Sequence, residues 1–346
     1  MVDVWLDSVT PKDSLLTYSL LPLLRKKGYE TLVTAKKQTQ TTEILELLNV
    51  KYTCIGEYGE TLKEKLAAEQ KRTLQFIDLF DKIGLPKVLW THGDVSAIRT
   101  AFGLQIPIVY ANDTPHAVHV AKLVCPLVDW LVAPVSFGKT WSKFGIAKSK
   151  IVLYDGIEEV AWLQRKLESK CPLFLEEAAK KSRVVLFRNA EYKASYCKNI
   201  KVDAFHLVKE ISKNATVVYL PRYAEEKKKL GNLNNVVIPQ KPVLAFQLIP
   251  YVDAVVGSGG TICREAALMG VPTINFHFWD AVARYLYKKG FPIKYVATTD
   301  KIINVTRKIL KNPEKHRMDT RQMLEKLESP VPITVDYIES CQGKRM

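Results

Sequence analysis

Apolar residues fall in short blocks along the chain, and the blocks alternate between two periods. Residues 2–7 form a brief strand-like run. Residues 15–27 then place apolar side chains three and four apart until Gly28 stops the pattern. Strand-like runs return at 29–35 and 51–56, with a helical stretch over 41–48 between them. Residues 60–83 pattern as one long amphipathic helix. Further strands are predicted at 86–94, 106–113, 129–134 and 149–157, with a helix starting near Ser96. Strand and helix in alternation is the signature of a parallel sheet.

The rhythm breaks over residues 155–182 and restarts at Arg183. Strands are then predicted at 183–189, 215–222, 234–240, 253–260, 271–276 and 292–298. Helical stretches at 202–214, 243–252, 261–270 and 280–289 separate them, and 298–342 reads as helices. The predicted fold is therefore α/β, with two Rossmann-like domains whose parallel sheets face each other across a cleft. We place the first domain at 1–160, the second at 161–330, and a last helix at 331–346.

Ligands of such sheets lie beyond the carboxyl ends of the strands. Polar clusters recur at those ends: Asp7–Asp13, His92–Asp94, Asn112–His116, Arg188–Glu191 and Gly257–Glu265. In the last, a strand delivers Gly257, Ser258, Gly259 and Gly260 onto a helix that begins with Thr261. Glycine admits close approach of a ligand, and free helix N–H groups favour an anion. Glu265, one turn deeper, suits sugar or ribose hydroxyls better than phosphate. The alternative is a tight strand-to-helix turn with a surface glutamate. The stretch lacks the GKS or GKT of a P-loop, and the first βα turn has no GxGxxG, so a nicotinamide cofactor is not expected.

His92 and Asp94 end one strand and Asp113 and His116 follow another. They either cap and turn the chain or bind substrate and move a proton. Asp7 and Asp13 have the same two readings around the first turn. Arg188 suits a diphosphate or a surface ion pair, and His277 closes a strand near sugar or phosphate. No metal is expected, because His116 and His119 lack a convincing third ligand in the sequence.

Composition changes this picture little. The chain of 346 residues is 47% hydrophobic and 25% charged, an ordinary globular mix. Its Lys and Arg exceed Asp and Glu by 51 to 36, a net charge of +15, which favours an anionic partner. No nucleic-acid motif accompanies the charge, so no nucleic-acid partner is expected. Six cysteines without a CxxC pair fit a reducing cytoplasm. No apolar run reaches the length of a membrane span, and attachment to the inner membrane face stays open.

VWLDSVTPKDSLLTYSLLPLLRKKGYETLVTA, HGDVSAIRTAFGLQIPIVYANDTPHAVHVAKLVCPLVD, YDGIEEVAWL, RNAEYKASY and GSGGTICREAALMGVPTINF together resemble the DUF354 family of archaeal and bacterial proteins of unknown function. That family is similar to the GT-B superfamily of nucleotide-sugar glycosyltransferases and UDP-N-acetylglucosamine 2-epimerases. The resemblance implies a nucleotide-diphosphate sugar, of UDP type, as substrate, with no further cofactor. It implies that Gly257–Thr261 meet the diphosphate, that Glu265 meets the ribose, and that Arg188 assists. It implies an acceptor on the first domain, with Asp13 or His92 removing its proton, and a final helix that crosses back to that domain. The charge surplus, not the resemblance, points to a lipid-linked or membrane-associated acceptor. His92-Gly93-Asp94 is similar to a strand end of the epimerases. Their conserved-type glutamate is replaced at Tyr110–Thr114, where Asp113 is the available acid. A metal-independent glycosyltransferase is thus the leading expectation, with the epimerase and a non-catalytic nucleotide-sugar-binding protein as alternatives.

Overall fold

A computed structural model describes residues 2–37, 39–165, 170–190, 202–258, 260–276 and 279–342, with backbone only at Thr39 and Ala224. The chain divides into two compact units. One comprises Met1–Trp162 with Leu327–Met346, and the other Leu163–Lys326.

The first unit is built on seven parallel strands: β1 (Val4–Ser8), β2 (Thr31–Lys37), β3 (Thr53–Glu57), β4 (Val88–Thr91), β5 (Ile108–Ala111), β6 (Trp130–Pro134) and β7 (Ile151–Tyr154). Their order is β3-β2-β1-β4-β5-β6-β7. The order reverses at β1 and β4, which pair directly from Val4 with Val88 to Asp7 with Thr91. β1 and β4 are buried at every position, because helices cover both faces of a parallel sheet. Trp5 fixes one such contact. Its ring meets Phe76 and Phe80 of the helix Leu62–Ile83 edge-on at 4.7 and 4.8 Å.

The helix Pro330–Gln342 belongs to this unit. It buries Val335, Ile338 and Cys341, and its Tyr337 ring lies 4.6 Å from that of Trp130 on β6. Glu339 on the same helix accepts from Lys27 Nζ at 2.8 Å and Tyr29 Oη at 3.1 Å.

The second unit carries six parallel strands: β8 (Val184–Arg188), β9 (Thr216–Tyr219), β10 (Val236–Val237), β11 (Ala254–Gly257), β12 (Thr273–Asn275) and β13 (Ile293–Tyr295). Their order is β10-β9-β8-β11-β12-β13, reversing at β8 and β11. Alternate residues fill two cores. Val185, Phe187, Val217 and Val256 face one layer of helices, while Val184, Leu186, Val218 and Val255 face the other.

The thirteen strands of the described residues fall on the predicted runs, with β1, β2 and β3 reaching past them to Ser8, Lys37 and Glu57. The short helix Ala224–Leu230 was not predicted. Its sequence is dominated by charge, with Lys227–Lys229 in its last turn, so it has little apolar periodicity to read. No helix of the described residues is long and apolar enough to cross a membrane.

Candidate functional site

In each unit the polar clusters gather where the strand order reverses, which is the crevice of an open parallel sheet. In the first unit this point lies between the carboxyl ends of β1 and β4. Thr10 caps the helix Pro11–Lys26, and Asp13 at its third position closes a capping box. Asp13 Oδ2 accepts from the Val9 and Thr10 amides at 3.0 and 2.9 Å, and Oδ1 accepts from the Thr10 hydroxyl at 2.6 Å. The same Oδ1 lies 3.1 Å from His92 Nδ1, just beyond β4.

The other imidazole nitrogen, Nε2, lies 2.9 and 3.0 Å from the two oxygens of Glu158. Lys12 Nζ bonds Asp113 Oδ2 at 2.6 Å, pairs with Glu158 as well, and stands 3.9 Å from Glu159. One hydrogen-bonded chain therefore runs Asp13–His92–Glu158–Lys12–Asp113. Its carboxylates are at most 3% exposed, whereas His92 is 9% and Lys12 13% exposed, so solvent reaches the chain chiefly at the two cations. Asn112 fixes the neighbouring loop by donating Nδ2 to the His92 carbonyl at 2.7 Å.

Burial works against a charge on His92, but the Glu158 carboxylate and the hydrogen bonds to Asp13 and Glu158 outweigh it and raise the imidazole to about 10. His92 is an imidazolium at neutral pH. It is therefore already protonated and is no base for an acceptor hydroxyl. For Asp13, burial opposes ionisation, and the hydrogen bond and charge of His92 reverse that and lower its pKa. Asp13, expected as a base, is a weakened one.

His92, Asp113 and Glu158 present ligand atoms within 4.8 Å of one another, so these three could hold a metal ion. Lys12 already places an ammonium against two of them, and a divalent ion would compete with it. This group includes neither His116 nor His119, the pair weighed in the sequence, and its Glu158 is 66 residues from His92.

Asp94 and Asp7 lie apart from this chain. Asp94 caps the helix Val95–Gly103 through the Ala97 amide at 2.7 Å and bonds Arg72 Nη1 at 2.6 Å. Arg72 also grips Asp7 with two bonds of 2.7 and 3.0 Å and donates Nε to the Ile55 carbonyl. Burial opposes the guanidinium charge, yet Asp7 and Asp94 raise its pKa further above the usual range. Arg72 and Asp7 are fully buried and Asp94 is 6% exposed, so Asp94, expected at the reacting centre, is held by Arg72 and by its cap. His116 is half-buried on the turn after β5.

In the second unit, β8 and β11 end side by side, with Arg188 paired to Gly257. A Cβ at Gly257 would come within 3.1 Å of Cys263 Sγ and 3.3 Å of the Arg188 carbonyl, so a side chain there would crowd both neighbours. The helix Gly260–Leu268 follows at once. Ser258 Oγ is buried there with no hydrogen-bond partner among the described residues. Thr261 is half-buried and Glu265 is 1% exposed. Arg188 Nη1 donates to the carbonyls of Leu220 and Pro221, both at 3.1 Å, which turns that nitrogen toward the loop after β9. Arg264 pairs with Asp280, the cap of the helix Ala281–Lys288. Gly259 and His277 lie outside the described residues, as does Glu191.

Lys12, Glu158 and Arg72 escaped the sequence reading. Glu158 and Glu159 follow the end of β7, so the rule of strand carboxyl ends would have found them. Arg72 sits mid-helix among charged residues and carries no such signal.

Comparison with known proteins places this geometry in context. A family model described as "Protein of unknown function (DUF354)" matches residues 2–341. An uncharacterised protein of Methanocaldococcus jannaschii is 28% identical over 298 residues, covering 83% of this chain and 86% of that protein. The UDP-GlcNAc 2-epimerase of Neisseria meningitidis, solved bound to UDP-GlcNAc, superposes with a TM-score of 0.72 at 16% identity, covering 99% of this chain and 100% of that one. The spinosyn forosaminyltransferase SpnP gives 0.65 at 14% identity, covering 99% and 100%. The fold is that of GT-B epimerase and glycosyltransferase structures.

Proposed function

The chain belongs to the DUF354 family, and from that premise we propose that it is a glycosyltransferase acting on a nucleotide-diphosphate sugar of UDP type. The observation that carries the reading is the buried, unpartnered Ser258 hydroxyl at the glycine turn that opens the helix Gly260–Leu268. A buried hydroxyl without a partner is costly, and a diphosphate oxygen supplies one. The free amides of the helix N-terminus supply the rest of an anion site. The fold shared with enzymes of UDP-sugars supports the same ligand.

In this reading Asp113 takes the proton of the acceptor hydroxyl. The acceptor oxygen then bonds the anomeric carbon as the bond from that carbon to the diphosphate breaks, and the electron pair leaves with the nucleotide. Ser258 and the helix amides stabilise the charge arriving on the diphosphate. Lys12 holds the Asp113 carboxylate in place, and His92, fixed in its charged form, anchors Glu158. Glu265, 1% exposed one turn into that helix, has the ribose as its ligand in this reading.

Calorimetric titration with UDP tests the site. Ser258→Ala is expected to weaken UDP about tenfold, the loss of one hydrogen bond to a charged group. Unchanged affinity overturns the assignment. A 2-epimerase is the second reading, because elimination and re-addition need an acid beside a base, and His92 with Glu158 and Asp113 offers both. Incubation with UDP-GlcNAc alone in deuterated water separates them: only the epimerase places deuterium at C2 of the sugar.

A further inference from the structure

The β2–β3 edge of the first unit carries a feature to which no role has yet been assigned. A cavity of ≈ 530 Å³ opens beyond the carboxyl ends of these strands and is lined by Lys37, Glu57, Tyr58, Ala67, Lys71 and Gln75 among others. Its size is that of a small-molecule pocket, and its position is the ligand side of the sheet.

The lining has a definite chemistry. Its lysines, 37 and 71, are offset by Glu57, Glu60 and Glu64, so it does not attract a polyanion. Glu64 is itself engaged in the capping box of the helix Leu62–Ile83. Gln75 Oε1 is buried with no hydrogen-bond partner among the described residues, which calls for an O–H or N–H donor from a ligand. Tyr58 is 52% exposed, and the ammonium groups of Lys36 and Lys65 lie 5.4 and 5.1 Å from its ring centre, so a fixed aromatic group stands at the mouth. A neutral ligand with many hydroxyls and apolar C–H faces matches such a wall.

We propose that this cavity binds an uncharged saccharide, the hydroxylated part of the acceptor. The word acceptor rests on the transferase reading; the saccharide site does not. Gly56 also lines the cavity, and a Cβ there would lie 2.7 Å from the Arg72 side chain. Behind that glycine packs the buried arginine that holds Asp7 and Asp94 beside the β1–β4 crevice.

Cys54 lines the cavity and is exposed, so it reports occupancy. In the full chain carrying Cys171→Ser and Cys197→Ser, the rate of Cys54 alkylation by iodoacetamide is followed with a panel of neutral disaccharides: maltose, lactose, cellobiose and chitobiose. At least one is expected to slow alkylation by about threefold or more, as a ligand above its Kd does. Ala67→Trp, at an exposed helical position, fills the cavity and is expected to abolish the protection with an unchanged circular dichroism spectrum. Gln75→Leu is expected to weaken it. Protection by no disaccharide, or protection that survives both substitutions, overturns the proposal. UDP titration of the same protein keeps the two readings apart: saccharide protection without UDP binding sinks the transferase and leaves the cavity assignment standing.

Discussion

His92 is held between Asp13 and Glu158, and that placement makes stability depend on pH in a definite direction. Its folded pKa, about 10, lies above the ordinary histidine value of 6.5. The folded state therefore binds its proton more tightly than the unfolded state does. The resulting stabilisation is complete below pH 6.5 and is lost as pH rises toward 10. His92→Gln is expected to cost ~2–4 kcal/mol at neutral pH, a value reduced for the shared network. The gap between wild type and variant should close near pH 10, and urea denaturation across this range measures it. A gap that stays constant with pH would show that the imidazole is not the charged link.

At the level of elements, each of these groups reaches the rim because a strand ends beneath it. The segment after β7 is the tightest case. A Cβ added to Gly156 would fall 2.1 Å from the Glu328 carbonyl, whose residue also exchanges hydrogen bonds with Asp155. Gly156→Ala must push this loop away, and Glu158 lies two residues on. The expected outcome is a loss of ~1–3 kcal/mol in denaturant melts, as for an overpacked position. The His92 pKa, read by NMR, should fall with it as Glu158 withdraws.

The strands themselves were legible because residues buried on both faces leave continuous apolar runs such as Val184–Phe187 and Ala254–Val256. The polar strand ends were legible for the same reason. Their mutual pairing was not. Lys12 meets Asp113 across 101 residues, and no local pattern records such a contact. Nor does sequence distinguish Asp94, which pairs with Arg72, from Asp113, which pairs with Lys12. Both follow strands, and only the position of Arg72, a helix away, separates them.

For the whole molecule, the surplus of +15 finds only a partial use in the candidate sites. Lys12 and Arg72 face carboxylates of the chain itself, and Arg264 is paired with Asp280. The division of the chain has a sharper consequence. The second unit, Leu163–Lys326, interrupts the first, whose last helix comes from Pro330–Gln342. The fragment 163–326 is expected to unfold cooperatively by itself. The fragment 1–162 is expected to lack a cooperative transition, because it exposes the surface that Val335 and Ile338 cover. Thermal melts of the two fragments test this, and a sharp transition in 1–162 would contradict it. On the ribosome, the interrupting unit emerges in full while the interrupted one still waits for the helix Pro330–Gln342. The charged chain around His92 therefore sits in a half-finished domain until the whole of the second unit has been made.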